Sequence, residues 1–148
     1  MRSPVVLTIF FLFAISVLSL ATTPDGINCK GTYACASKYA NDDFISYLKS
    51  EPIPPNRNYT AGELIMCLPN YEVAICAFFE DIEDPVSGAV ALSLLDQIYE
   101  FGCRRCGSIP VLYPESNAVN FGSLRINGFD NPQCKGADIA RRSAWVCG

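Results

Sequence analysis

Histidine is absent from the 148 residues of this chain. Its absence removes the usual general base of serine and cysteine hydrolases and the commonest metal ligand. Lysine is sparse through the middle, with none between Lys49 and Lys135. The formal net charge is -4, and a basic surface for nucleic acid is not expected. There is no internal repeat and no long low-complexity segment, and no apolar run after Leu20 is long enough to cross a bilayer.

What is present begins with a leader. Arg2 supplies a basic end, Val5 to Leu20 is almost wholly apolar, and Ser19-Leu20-Ala21 places small residues before a cut. The pattern predicts a signal peptide over 1–21 and a mature domain over 22–148. The apolar run approaches the length of a membrane span, so an uncleaved anchor is the competing reading. Cleavage is preferred, which makes the product secreted, extracellular and without stable membrane insertion.

All 8 cysteines lie beyond the leader: Cys29, Cys35, Cys67, Cys76, Cys103, Cys106, Cys134 and Cys147. An even number in a secreted chain predicts a disulfide framework, whose connectivity the spacing alone leaves open. Such bridging suits a chain with room for one domain and one modest core. Cys103-Arg104-Arg105-Cys106 also has the spacing of a redox dithiol or half a zinc knuckle. Against redox chemistry, the pair follows a helix instead of preceding one. Against zinc, the compartment is oxidising and no second short-spaced pair exists. Structural disulfides are the preferred reading.

The clearest element runs from Ser87 towards Gly102. Ala91, Leu94, Leu95, Ile98 and Phe101 recur at steps of three and four, with Ser93, Asp96, Gln97 and Glu100 between them. Ser87 is placed to cap its start and Gly102 to end it. A shorter helix is expected over Asp43 to Ser50, capped by Asn41 or Asp42, with Phe44, Ile45, Tyr47 and Leu48 on its apolar side. The proline-rich stretch Glu51 to Asn58 reads as a surface loop. Gly62 to Leu68 and Glu72 to Glu80 read as a hairpin turning at Pro69-Asn70-Tyr71, whose Cys67 and Cys76 can carry bridges outward instead of closing it. Ser108 to Tyr113 and Gly122 to Phe129 add strands, and the tail from Ala137 through Trp145 to Cys147 reads as a short helix.

Asn58-Tyr59-Thr60 is a glycosylation sequon on the loop. Glu80, Asp81, Glu83 and Asp84 form an acidic run that calcium would bind only if the carboxylates converged, and a solvated loop before a helix explains them as well. These groups, or Glu115, would serve glycoside hydrolysis only across a cleft that sequence does not reveal. No catalytic set, metal or cofactor is expected.

Gly26-Ile27-Asn28-Cys29 with Lys30-Gly31 and Cys35, the helix ending Gly102-Cys103-x-x-Cys106-Gly107-Ser108, and Leu124-Arg125-Ile126-Asn127 together resemble the fungal killer toxins of the smut-virus type, called killer protein four. The resemblance covers most of residues 22–148 and is sharpest in the GINCKG and GCRRCGS blocks. It implies an α+β fold, a small disulfide-bridged α/β sandwich whose antiparallel sheet carries two antiparallel helices on one face in a split βαβ arrangement. It also implies Cys29–Cys103, Cys35–Cys106 and Cys67–Cys134, with Cys76 left for Cys147. Family members are secreted, non-catalytic growth inhibitors, and the prototype interferes with calcium uptake through channels of fungal or plant cells. The implied partner is therefore a cell-surface protein such as a calcium channel, bound by a monomer. The alternative is an effector or wall-binding protein on the same scaffold without channel activity. The prototype has a functional lysine where this chain has Ile65, two residues before Cys67. Lys30, Arg104, Arg105 and Arg125 are the remaining basic candidates for partner binding on the matched segments.

Overall fold

The computed structural model describes residues 26–36, 43–70, 73–130 and 145–146. In chain order these form α1 (Tyr33–Ala36), α2 (Phe44–Ser50), β1 (Asn58–Tyr59), β2 (Leu64–Asn70), β3 (Val73–Glu80), β4 (Val86–Ser87), α3 (Gly88–Phe101), β5 (Gly107–Pro110), β6 (Ser123–Asp130) and β7 (Trp145–Val146).

α3 forms as its pattern predicts. Ala91, Leu94, Leu95 and Ile98 are buried, whereas Phe101, expected on the same face, lies past the contact and is 45% exposed. The Ser87 side chain accepts from the Val90 N–H, and Gly102 closes the helix at φ 115°. The N–H groups of Gly102 and Cys103 donate to Tyr99 and Ile98 carbonyls at 3.0 and 3.2 Å, a pairing that needs the left-handed residue glycine supplies. At the other end the proline-rich stretch acts as a brace. Pro55 and Arg57 carbonyls accept from Ala89 and Gly88 N–H at 2.9 and 2.7 Å, satisfying donors that a helix start leaves free. So close an approach requires Gly88, since a Cβ there would stand 2.1 Å from the Pro54 carbonyl oxygen.

Asp43, not Asn41 or Asp42, caps α2, its Oδ1 accepting from the Ser46 N–H at 3.3 Å. Phe44, Ile45 and Leu48 are buried, while Tyr47, expected beside them, is exposed. The Ile45 N–H donates to the Arg104 carbonyl just beyond the end of α3, and the segment after α2 reaches the start of α3. The two helices therefore run antiparallel.

The main sheet has the order β5-β6-β3-β2-β7, with every pairing antiparallel. Because β3 and β5 each run opposite to β6 between them, they run in the same direction, and the connection through α3 makes a split βαβ unit. Alternation divides β3 between two buried faces: Ile75, Ala77 and Phe79 join Leu124 and Ile126 of β6 and Ile109 of β5 in the main core with both helices, while Ala74 and Cys76 pack with Cys67 on the other side. Burying each large side chain contributes about 1.5–3 kcal/mol. The expected disulfide-bridged α+β fold, with two antiparallel helices against one face of an antiparallel sheet, is the one observed.

Several expectations change. β2 runs through Pro69 and Asn70, which pair with Ala74 and Val73. Cys67 and Cys76 then face each other and form a disulfide, with Cα atoms 4.0 Å apart. The implied Cys67–Cys134 and Cys76–Cys147 bridges and the outward role of this pair are thus corrected. The register gives each sulfur its nearest partner across the hairpin. Cys134 and Cys147 lie outside the described residues, as do the leader and the proposed cut. Trp145 and Val146 form a strand against Cys67 and Met66 where a tail helix was expected. The extended segment at Ser108 stops at Pro110, where Tyr113 and Ser116 N–H groups turn back onto Pro110 and Leu112 carbonyls. A second small sheet, β1 with β4, ties the sequon strand to the start of α3.

Candidate functional site

Cys29–Cys103 and Cys35–Cys106 are both formed, as the resemblance implied. Between them they clamp the first described segment onto the junction of α3 and β5. Asn28 reinforces the clamp: it exchanges backbone hydrogen bonds with Ser108 at 3.0 and 2.8 Å, and its Nδ2 donates to Ser108 Oγ at 2.7 Å. Since Cys103 and Cys106 pair with different partners, they are not a dithiol, and the redox and zinc readings of their spacing do not hold.

The clamp brings Lys30, Arg104 and Arg105 together around two bridges. Lys30 is exposed, and its N–H donates to Asn28 Oδ1 at 3.0 Å. Arg104 is held firmly for an exposed residue. Its guanidinium lies 4.0 Å from the Tyr99 ring centroid, and Nη1 donates to the Tyr99 carbonyl at 2.6 Å. Lys49 also lies over that ring, at 4.5 Å, while pairing with Asp96 at 2.8 Å, and the Tyr99 hydroxyl donates to Asp43 Oδ2 at 3.1 Å. Cations over an aromatic face are attracted by its negative quadrupole, so the Tyr99 ring holds Arg104 and Lys49. Arg125 is not part of this group. It stands on β6 and pairs with Glu80 of β3. Ile65, at the position of the prototype's lysine, is fully buried in the core and offers nothing to a partner.

The sequon strand has its own charge network. Asn58 is exposed and Tyr59 fully buried. Arg57 lies over the Tyr59 ring at 4.8 Å and pairs with Glu63 at 2.6 Å, and Glu63 accepts from the Thr60 N–H at 2.9 Å. The Thr60 amide, together with the Arg57 guanidinium and the Thr60 hydroxyl, holds the Glu63 carboxyl below its ordinary range against an opposing effect of burial. Burial pushes the Tyr59 phenol up, with Arg57 opposing.

Of the acidic run, Glu80 is paired with Arg125, and Glu83 and Asp84 line a groove with Ile82, Val86, Val111 and Phe121. Among the described residues no three acidic or cysteine side chains converge as metal ligands. The groove was not anticipated. Its only trace in the sequence is an apolar pair, Val119 and Phe121, in a stretch that forms a short turn with no buried residue.

The two blocks of sequence that carry the resemblance, around Cys29 and around Cys103, are therefore joined by paired disulfides at one end of a split βαβ unit. The Kp4 family model matches residues 11–130. The chain belongs to the Kp4 family. No curated protein matches it in sequence. Membership of Kp4, the killer protein 4 family, makes this a killer-toxin-like protein, and in this Kp4 chain the clamp carries Lys30 and Arg104 at the surface while Ile65 lies in the core.

Proposed function

We propose that this Kp4 protein is a secreted inhibitor of the growth of competing fungi or plant cells, acting without catalysis on a cell-surface protein. The reading rests chiefly on the double disulfide clamp, which keeps the GINCKG and GCRRCGS blocks together in a chain of this family. An oxidising compartment suits such bridges, and no helix among the described residues is long and apolar enough to cross a membrane. A calcium channel is the target that family resemblance favours, with Lys30, Arg104 and Arg105 as the basic group nearest the clamp. The exposed Asn58 is a site for glycan. Calcium influx into indicator-loaded fungal and root cells tests the target. Inhibition by oxidised protein, lost after reduction and alkylation, supports channel block; normal influx at saturating protein removes it.

A second reading is favoured by one observation. With Ile65 buried, the basic contact of the prototype has no counterpart at that position. An effector or wall-binding protein on this scaffold would leave influx unchanged while being retained on target cells or wall polysaccharide.

A further inference from the structure

The connection from β3 to α3 and the connection from β5 to β6 lie side by side at the start of α3. The Val111 N–H donates to the Gly122 carbonyl at 3.0 Å and closes the second connection on itself, and a Cβ on Gly122 would meet Ile82 Cγ2 of the first at 2.6 Å. The two walls are thus packed in contact, and the groove above them is about 430 Å³. Ile82, Val86, Val111 and Phe121 give it apolar sides, and Glu83 and Asp84 give it negative charge. Neither carboxylate makes an ion pair or side-chain hydrogen bond with the described residues, and no lysine or arginine lines the groove. Phe121 is 55% exposed and Val119 in the same turn 54%. Exposed apolar groups bordering a concave, charged surface mark a contact site.

We propose that this groove binds a basic, partly apolar peptide segment of the cell-surface partner. The proposal rests on the reading above that such a partner exists. A lysine or arginine matches both features of the groove: its aliphatic stem covers Ile82, Val86 and Val111 while its charged end reaches Glu83 and Asp84. An adjoining apolar side chain covers Phe121. The carboxylates disfavour an anionic membrane surface. The site is separate from the Lys30–Arg104 cluster, which lies at the other end of α3, about 20 Å away for a helix of that length. The partner therefore meets an acidic end of the molecule, and charge complementarity speeds its association and fixes its orientation.

The test uses the oxidised full-length mature protein and a short fluorescent peptide alternating lysine with leucine, followed by anisotropy. Peptides alternating glutamate with leucine and lysine with serine are comparators, with a chitosan oligosaccharide as a cationic sugar. The lysine–leucine peptide is expected to bind more tightly than all three, and E83Q/D84N and F121S are each expected to weaken it about tenfold or more. These substitutions are exposed, and an unchanged circular dichroism spectrum establishes that each variant is folded. Equal binding by the variants, or tighter binding of the sugar or the lysine–serine peptide, overturns the assignment. Growth assays separate this from the broader function. If wild-type protein inhibits growth and E83Q/D84N inhibits equally, the groove is not the contact site and the toxin reading stands. If wild type inhibits nothing while the peptide binds and the variants do not, the groove stands and the toxin reading falls.

Discussion

The guanidinium of Arg104 lies over the ring of Tyr99, five residues earlier, and donates to the carbonyl of the same residue. One side chain thus ties the end of α3 to the loop between two disulfides, and Tyr99 in turn reaches Asp43 at the start of α2. Arg104→Ala is expected to cost about 0.5–1 kcal/mol from the lost cation–ring contact, and Tyr99→Phe about 0.5–1.5 kcal/mol from the lost hydrogen bond. Urea denaturation of the two single variants and the double variant measures both terms and their coupling. Tyr99→Phe keeps the ring, so the ring itself is tested by combining Arg104→Ala with Tyr99→Leu, where exact additivity would show that the ring does not hold Arg104.

The disulfides close loops of very different length, with sequence separations of 74 for Cys29–Cys103 and 9 for Cys67–Cys76. In the chain-entropy account Cys67–Cys76 contributes about 2–3 kcal/mol, and with Cys35–Cys106 intact Cys29–Cys103 closes only the short further ring through residues 29–35 and 103–106 and contributes about as much; loss of both clamp bridges also frees the long loop, which costs about 4–5 kcal/mol more. The fourfold variant Cys29→Ala/Cys35→Ala/Cys103→Ala/Cys106→Ala should therefore lower the urea midpoint much more than Cys67→Ala/Cys76→Ala, and Cys29→Ala/Cys103→Ala about equally with it. Peptide mapping of the oxidised wild type checks the connectivity directly: a fragment linking Cys67 to Cys134 would contradict the hairpin bridge.

Gly88 faces the Pro54 carbonyl so closely that even one added methyl must push the brace away from α3. Gly88→Ala is expected to destabilise by about 1–3 kcal/mol despite alanine's better helix propensity. Thermal unfolding gives the sign, and an unchanged or raised midpoint would mean that the loop does not dock on the helix start.

Glu63 is held below its ordinary value of 4.5 by the Thr60 amide and Arg57, so the folded state binds its proton less readily than the unfolded chain. The resulting stabilisation is present above the ordinary carboxylate range and is lost as pH falls through the lowered folded value. Glu63→Gln should be less stable than wild type at neutral pH, and the difference should shrink as acid is added below about pH 4.5. Chemical denaturation from about pH 3 to about pH 7, the window in which a carboxylate titrates, measures it. A pH-independent difference would place the effect in packing.

Local rules made α3 legible because its cap, apolar period and terminal glycine agree; a run of strand-forming residues made the strand around Ile75 legible, and alternation the strand around Ile126. What local pattern does not encode is where an element meets a distant one. Phe101 and Tyr47 keep the helical period yet lie beyond the contact between layers, so they are exposed. The cap on α2 fell one or two residues later than expected because several acidic or amide side chains in succession can all accept an amide hydrogen. The partner of Cys67 depended on the register of β2 against β3, which Pro69 and Asn70 extend past the anticipated turn. Of the basic candidates, the sequence placed Lys30, Arg104 and Arg105 on neighbouring blocks, but the ion pair that takes Arg125 away needs the cross-strand geometry of Glu80. The groove joins two connections more than twenty residues apart, and neither carries a motif.

The central claim is that this scaffold, held by its disulfides, stops the growth of other cells. The most direct measurement is a dose–response of fungal cultures and root seedlings to purified, oxidised mature protein beside the same protein reduced and alkylated. The account predicts growth arrest by the oxidised form alone. Normal growth at every dose, or equal inhibition by the alkylated chain, would contradict it.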